Sequence, residues 1–174
     1  MPAFRHRNLV LLLATTLLYI ASQAHIIVVL GPQAEDILRF QTTFSPSSFW
    51  QIVDAWGAEG KARYLAHFPY DALHALIYGV LGLVITICTP LFGSAWHWPR
   101  RLAVAALPVA ALCDLVENYG HETLLRDGPG VDPGLIPLAA AFASAKWLIV
   151  ALFACAVAAA TLRRLWRRPC PGIR

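Results

Sequence analysis

The chain has 174 residues, 58% of them apolar and 14% charged, with a formal net charge of +4. Ordinary soluble domains carry roughly 25% charged residues, and a chain this short exposes too much surface to hide so large an apolar share in one aqueous core. Composition therefore excludes a water-soluble domain and points to lipid as the solvent. The positive charge does not indicate a nucleic-acid partner, because the basic residues stand in short runs beside apolar segments, as membrane topology demands.

In chain order, residues 8–30 form a first apolar segment behind Arg5 and Arg7. It is long enough for a hydrocarbon core of about 30 Å. A cleavable signal peptide is the rival reading, since Ser22-Gln23-Ala24 has small-x-small character. The apolar run resumes at once through Ile26-Ile27-Val28-Val29-Leu30, as a retained span requires.

Residues 31–69 read as an outer loop. Ser45-Pro46 is an N-cap followed by proline at the first helical position, with Phe44 as a candidate hydrophobic staple. A short helix is expected over 46–56, ended by Gly57 in the left-handed conformation. A second is expected over 58–67, stopping before Pro69. Phe49, Trp50, Trp56, Tyr64 and Phe68 suit the headgroup level.

The second span is expected over 70–92, where Gly79 and Gly82 permit close helix packing and Pro90 ends or kinks the helix. A basic turn over 94–101 carries Trp96, Trp98, Arg100 and Arg101. The third span is expected over 102–119, with Pro108 as another kink or stop. A Gly/Pro/Asp-rich loop over 120–134 leads to the fourth span over 136–162 and a basic tail over 163–174. The predicted fold is all-α: a single integral membrane domain, 1–174, forming a four-helix transmembrane bundle with one or two short interfacial helices in the first outer loop.

Charge orients these elements. Arg5, Arg7, Arg100, Arg101, Arg163, Arg164, Arg167, Arg168 and Arg174 share one side with no acidic residue, and all ten acids fall on the other. The positive-inside rule then predicts a multi-pass protein of the bacterial inner (plasma) membrane with both termini cytoplasmic. The arginine-rich tail is either a stop-transfer flank or a contact for anionic membrane lipids. Cys88, Cys113, Cys155 and Cys170 form no CxxC, so neither a disulfide framework nor a thiolate zinc site is expected.

Ionisable residues inside a span are costly and mark candidate functional sites. Asp114, Glu117, Asn118 and His121 are spaced i, i+3, i+4 and i+7, on one face of the third span. Asp71, His74 and Tyr78 are spaced i, i+3 and i+7 on the second. The fourth span carries Lys146, and the first has Gln23 and His25 near its outer end. By helical rise Asp114 lies roughly 9 Å, and Lys146 roughly 13 Å, below the outer boundary, so a direct contact is expected. The candidate catalytic set is Asp114, Glu117 and Lys146. Asp71, His74, Tyr78, Asn118, His121 and His25 are candidate ligand-binding residues. Asp71, Asp114 and Glu117 together bring more negative charge than one lysine neutralises, so a proton or a cation has to fill the gap.

Three readings follow. The cluster is a binding or catalytic pocket in the outer half of the bilayer for a lipid-like or amphipathic molecule. Alternatively it is polar glue between helices, in a non-catalytic subunit or assembly factor of a larger membrane complex. The third is a metal site built from His25, His74 and His121 with the acids, but no compact ligand motif supports it and no metal is predicted. No motif specifies a cofactor.

Trp56-Gly57-Ala-Glu-Gly60-Lys61-Ala-Arg63-Tyr64-Leu65, then Asp71 and Tyr78-Gly79, Asp114-x-x-Glu117-Asn118, and Lys146-Trp147 form a longer pattern. It resembles an uncharacterised family of small four-span bacterial inner-membrane proteins with a D-x-x-E-N motif in span three and a lysine in span four. The resemblance covers residues 42–147 and implies the four-span architecture and the same polar residues, without an activity. His74 and His121 lie outside that pattern.

Overall fold

A computed structural model describes residues 2–92 and 97–166 of the chain. The part of the basic turn at 94–96, the tail arginines Arg167, Arg168 and Arg174, and Cys170 lie outside the described residues. The elements are α1 (Pro2–Leu30), a 3₁₀ turn (Gly31–Glu35), α2 (Ile37–Gln41), α3 (Pro46–Cys88), α4 (His97–Asp127), a 3₁₀ turn (Gly128–Gly130) and α5 (Leu135–Trp166). Four of these helices, α1, α3, α4 and α5, are long and apolar enough to cross a membrane. The fold is an all-α four-helix bundle, as composition and periodicity predict.

Neighbours in sequence are neighbours in space: α1 packs on α3, α3 on α4, and α4 on α5. Small residues set the closeness of the α3–α4 seam. A Cβ built at Gly82 would lie 2.5 Å from Leu107 Cβ, and one at Gly79 would touch Ala111 at 3.4 Å. Without side chains there, the two backbones approach as membrane helices do at small residues. Gly120 plays the same part between α4 and α5, where a Cβ would meet that of Ala139 at 3.2 Å.

The start of α3 forms as its sequence dictates. Ser45 is extended (φ −91°, ψ 120°) and its hydroxyl accepts from the Ser48 N–H at 3.4 Å, with Pro46 next. Gly57 breaks the helix with φ 64° and ψ −171°, a region open almost only to glycine. Phe44 is exposed rather than stapled.

Two expected boundaries are corrected. Pro69 does not stop a helix: α3 runs through it to Cys88. Proline forfeits one backbone hydrogen bond, which a packed membrane helix tolerates. The helix instead ends just before Thr89-Pro90, since a residue preceding proline is driven toward extended backbone. Nor does α4 end at Tyr119. It passes through Pro108 and Gly120 and reaches Asp127. From Gly57 onward α3, and the whole of α4, are roughly 45 Å long by helical rise, an extension beyond the length that a core of about 30 Å requires.

That extension carries a cap. Phe40 of α2, Phe49, Ile52 and Val53 of the first α3 segment, and Tyr64 and Phe68 above Pro69 are buried with Ile26 and Leu30 of α1, Leu124 and Leu125 of α4, and Ile136 of α5. Trp56 ties the cap to the first turn by donating its indole N–H to Asp36 Oδ2 at 3.2 Å. The segment read as an outer loop with two short interfacial helices is thus folded over the bundle, its aromatic side chains Phe40, Phe49, Tyr64 and Phe68 buried. A second apolar cluster fills the basic half around Ala75, Tyr78, Ala103, Leu107, Ala110 and Phe153. The basic end is closed by Arg164 of α5, which donates to the Pro90 carbonyl at 3.1 Å.

Candidate functional site

Between the two apolar clusters lies a layer of buried polar side chains on the α3–α4 seam, completed by α5 and α2. On α3 the stripe is Tyr64, His67, Asp71, His74 and Tyr78; on α4 it is Asp114, Glu117, Asn118 and His121. Each is less than a tenth exposed. Their spacing of three and four residues keeps both rows on facing sides of the two helices.

Lys146 enters from α5. Its ammonium donates to Asp114 Oδ1 at 2.7 Å and lies 2.6 Å from Glu117 Oε2. The second contact is close but off the directions of a good hydrogen bond, so both Glu117 oxygens lack a well-formed donor. Asp114 stands 13 residues before the end of α4 and Lys146 11 residues after the start of α5, which is why both fall at one level. Asp114 Oδ2 accepts the Tyr78 hydroxyl at 3.0 Å, so each of its oxygens has a donor. One turn nearer the cap, Asn118 donates to Asp71 Oδ2 at 2.8 Å.

His121 faces Glu117, with Nδ1 3.5 Å from Oε1. Its ring also stacks on Phe49 (centroids 5.8 Å, 18°) and lies 4.8 Å from that of Phe40, so it joins the polar layer to the aromatic cap. His74 sits at the α1 side, where its Nδ1 pairs with the Ser22 hydroxyl at 2.8 Å between the rings of Tyr19 and Tyr78. Ser22 spends its hydrogen on the Tyr19 carbonyl, so His74 is the donor in that pair.

Of the sequence-predicted residues, Asp114, Glu117, Lys146 and Tyr78 meet directly. Asn118 and Asp71 form an adjoining pair, and His121 and His74 flank the cluster. His25 does not join it. Ile26 and Leu30 occupy the inward face of α1, which turns the neighbouring His25 outward, and its ring packs edge-on against the exposed Tyr70 at 4.6 Å. The first span therefore reaches the site through Ser22 and Tyr19, both against His74. Among the described residues no group of three or more histidine, cysteine or acidic side chains has the arrangement a metal ion requires.

Three participants were not expected. Gln41, at the end of α2, is 2% exposed, and its Oε1 accepts from Lys146 at 3.4 Å and from the Trp147 indole at 3.1 Å. Nothing in Phe40-Gln41-Thr42-Thr43 signals this, because the cap's fold alone brings α2 onto α5. Tyr64 and His67 do carry a signal: they continue the α3 stripe by three and four residues once Pro69 is read as lying within the helix.

Glu117 sits between one cation and one imidazole, and Asp114 between one cation and one phenol. Such a set can hold a polar head group and move a proton between carboxyl and ligand. No family model, curated protein or solved structure matches the chain, so the chemistry of these side chains carries the functional reading.

Proposed function

We propose that this is a bacterial inner-membrane protein, with both termini cytoplasmic, whose polar layer binds the head group of a lipid-like or amphipathic molecule entering from the outer leaflet. The orientation is supported by the charge count: every acid lies toward the capped end and the arginine runs toward the other. Lys146 serves as the electrostatic anchor, Asp114 and Glu117 as the carboxyls that meet the head group, and Tyr78 as a hydroxyl donor fixing Asp114.

The observation that carries this reading is the convergence on one level of Lys146, Asp114, Glu117, Tyr78 and Gln41 from α5, α4, α3 and α2. Polar glue between membrane helices needs one pair; a layer drawing on four elements goes well beyond that. The test is Lys146→Met, with Tyr78→Phe as a milder companion, purified in mild detergent and analysed by native mass spectrometry. The expected result is a folded, monodisperse Lys146→Met protein that has lost the amphiphile retained by the wild type. Equal retention in both, or a Lys146→Met protein that never accumulates while Tyr78→Phe retains amphiphile unchanged, would favour a purely structural network.

A further inference from the structure

We infer that the head group received by this cluster is a primary ammonium. The inference rests on the pocket reading above and names its ligand chemistry. Asp71, Asp114 and Glu117 are 8%, 3% and 0% exposed, and Lys146 is the one lysine or arginine buried among the described residues. Three carboxyls therefore share one fixed cation, in surroundings where an uncompensated charge is expensive.

The hydrogen bonds lean the same way. The three donors of Lys146 are committed to Asp114, Glu117 and Gln41, and both Asp114 oxygens are filled. Glu117 Oε2 is held by the Lys146 ammonium, so what remains buried in this layer without a hydrogen bond, among the described residues, is Glu117 Oε1, Asn118 Oδ1, His67 Nε2, His121 Nδ1 and the Tyr64 hydroxyl. His67 Nδ1 faces the Tyr64 carbonyl. A carbonyl only accepts, so Nδ1 carries the hydrogen and Nε2 of the neutral ring is an acceptor. The unpartnered set is thus dominated by acceptors: one carboxylate oxygen, one amide oxygen and one imine nitrogen. All come from the same facing stripes of α3 and α4, on side chains no more than 5% exposed.

Buried acceptors without donors each carry a desolvation penalty. A ligand that lowers it brings several N–H groups and positive charge together. A primary ammonium has three N–H donors and a full charge. A quaternary ammonium has the charge without donors, a polyol has donors without charge, and an anionic head adds to the charge already in excess. The ammonium can belong to an aminophospholipid or to a free, water-soluble amine.

The experiment presents the purified full chain with equimolar phosphatidylethanolamine, phosphatidylcholine and phosphatidylglycerol of identical acyl chains, and reads the retained lipid by native mass spectrometry. A separate arm competes bound phosphatidylethanolamine with ethanolamine. The expected result is retention of phosphatidylethanolamine at least ~10-fold above the other two, and a loss of ~10-fold or more in Glu117→Gln, as for a hydrogen bond to a charged group. Displacement by ethanolamine at matched concentration identifies the free amine as the source; resistance to it identifies the lipid. Equal retention of phosphatidylethanolamine and phosphatidylcholine overturns the ammonium assignment. So does preferred phosphatidylglycerol; if that preference vanishes in Lys146→Met, the pocket reading stands alone. No retained lipid and no amine binding overturns both. The wild-type comparison needs no variant to fold.

Discussion

The ammonium of Lys146 lies 2.7 Å from Asp114 Oδ1, joining α5 to α4 where both are buried. The same ammonium is 2.6 Å from Glu117, so one cation closes the gap between two carboxyls a single turn apart on one helix. Tyr78 on α3 then holds the far oxygen of Asp114. Three spanning helices are thereby locked at one level, and the cap joins them through Gln41.

Tyr78→Phe removes one interhelical hydroxyl bond and leaves the ring in place. Bonds of this kind in membrane proteins contribute about 0.6–1.7 kcal/mol, and the loss of unfolding free energy should fall in that range. Reversible unfolding in mixed micelles measures it. In an Asp114→Asn background the effect of Tyr78→Phe should shrink, and additivity would contradict the shared bond.

Gly82→Ala should destabilise the α3–α4 seam by about 1–3 kcal/mol, the usual cost of overpacking, because the added methyl meets Leu107 Cβ at 2.5 Å. Gly130→Ala, with open space around it, is the control and should leave the melting temperature unchanged. A Gly82→Ala melting temperature equal to the wild type's would show that the helices are farther apart.

Pro69→Ala tests the continuity of α3. If the helix runs through residue 69, alanine restores a backbone donor without altering the path, so helical circular dichroism and stability should hold or rise. A marked loss of either would mean that the proline sets a bend the cap depends on.

Much of this was legible from residues alone. Apolar length and arginine placement predict the four spans, and the i, i+3, i+4 spacing of Asp114, Glu117 and Asn118 predicts their common face. Equal depth along antiparallel helices predicts the Asp114–Lys146 contact. The misreadings have physical causes. Treating Pro69 as a helix end cut the α3 stripe short and hid Tyr64 and His67, because rules for proline in water overstate its power to stop a helix packed in a membrane. Reading Gly120 as a loop residue missed its role in the close approach of α4 to α5. Gln41 was invisible because its burial depends on the cap's tertiary fold, and His25 was misplaced by one residue's rotation around α1.

Orientation is checked by single-cysteine labelling in a cysteine-free background. Asp54→Cys lies at the acidic, capped end and Arg100→Cys at the basic end, both on exposed positions. A membrane-impermeant maleimide added to intact spheroplasts should label Asp54→Cys and spare Arg100→Cys until the membrane is opened. The reverse pattern would invert the proposed topology.

The most direct test of the central claim is an experimental density map of the protein in a lipid nanodisc. The expected map shows head-group density within hydrogen-bonding distance of Glu117 and Lys146, with Asn118 and His67 turned toward it. A map in which these side chains close on one another, with no density between α3, α4 and α5 at that level, would contradict the binding site and leave the polar layer as helix packing.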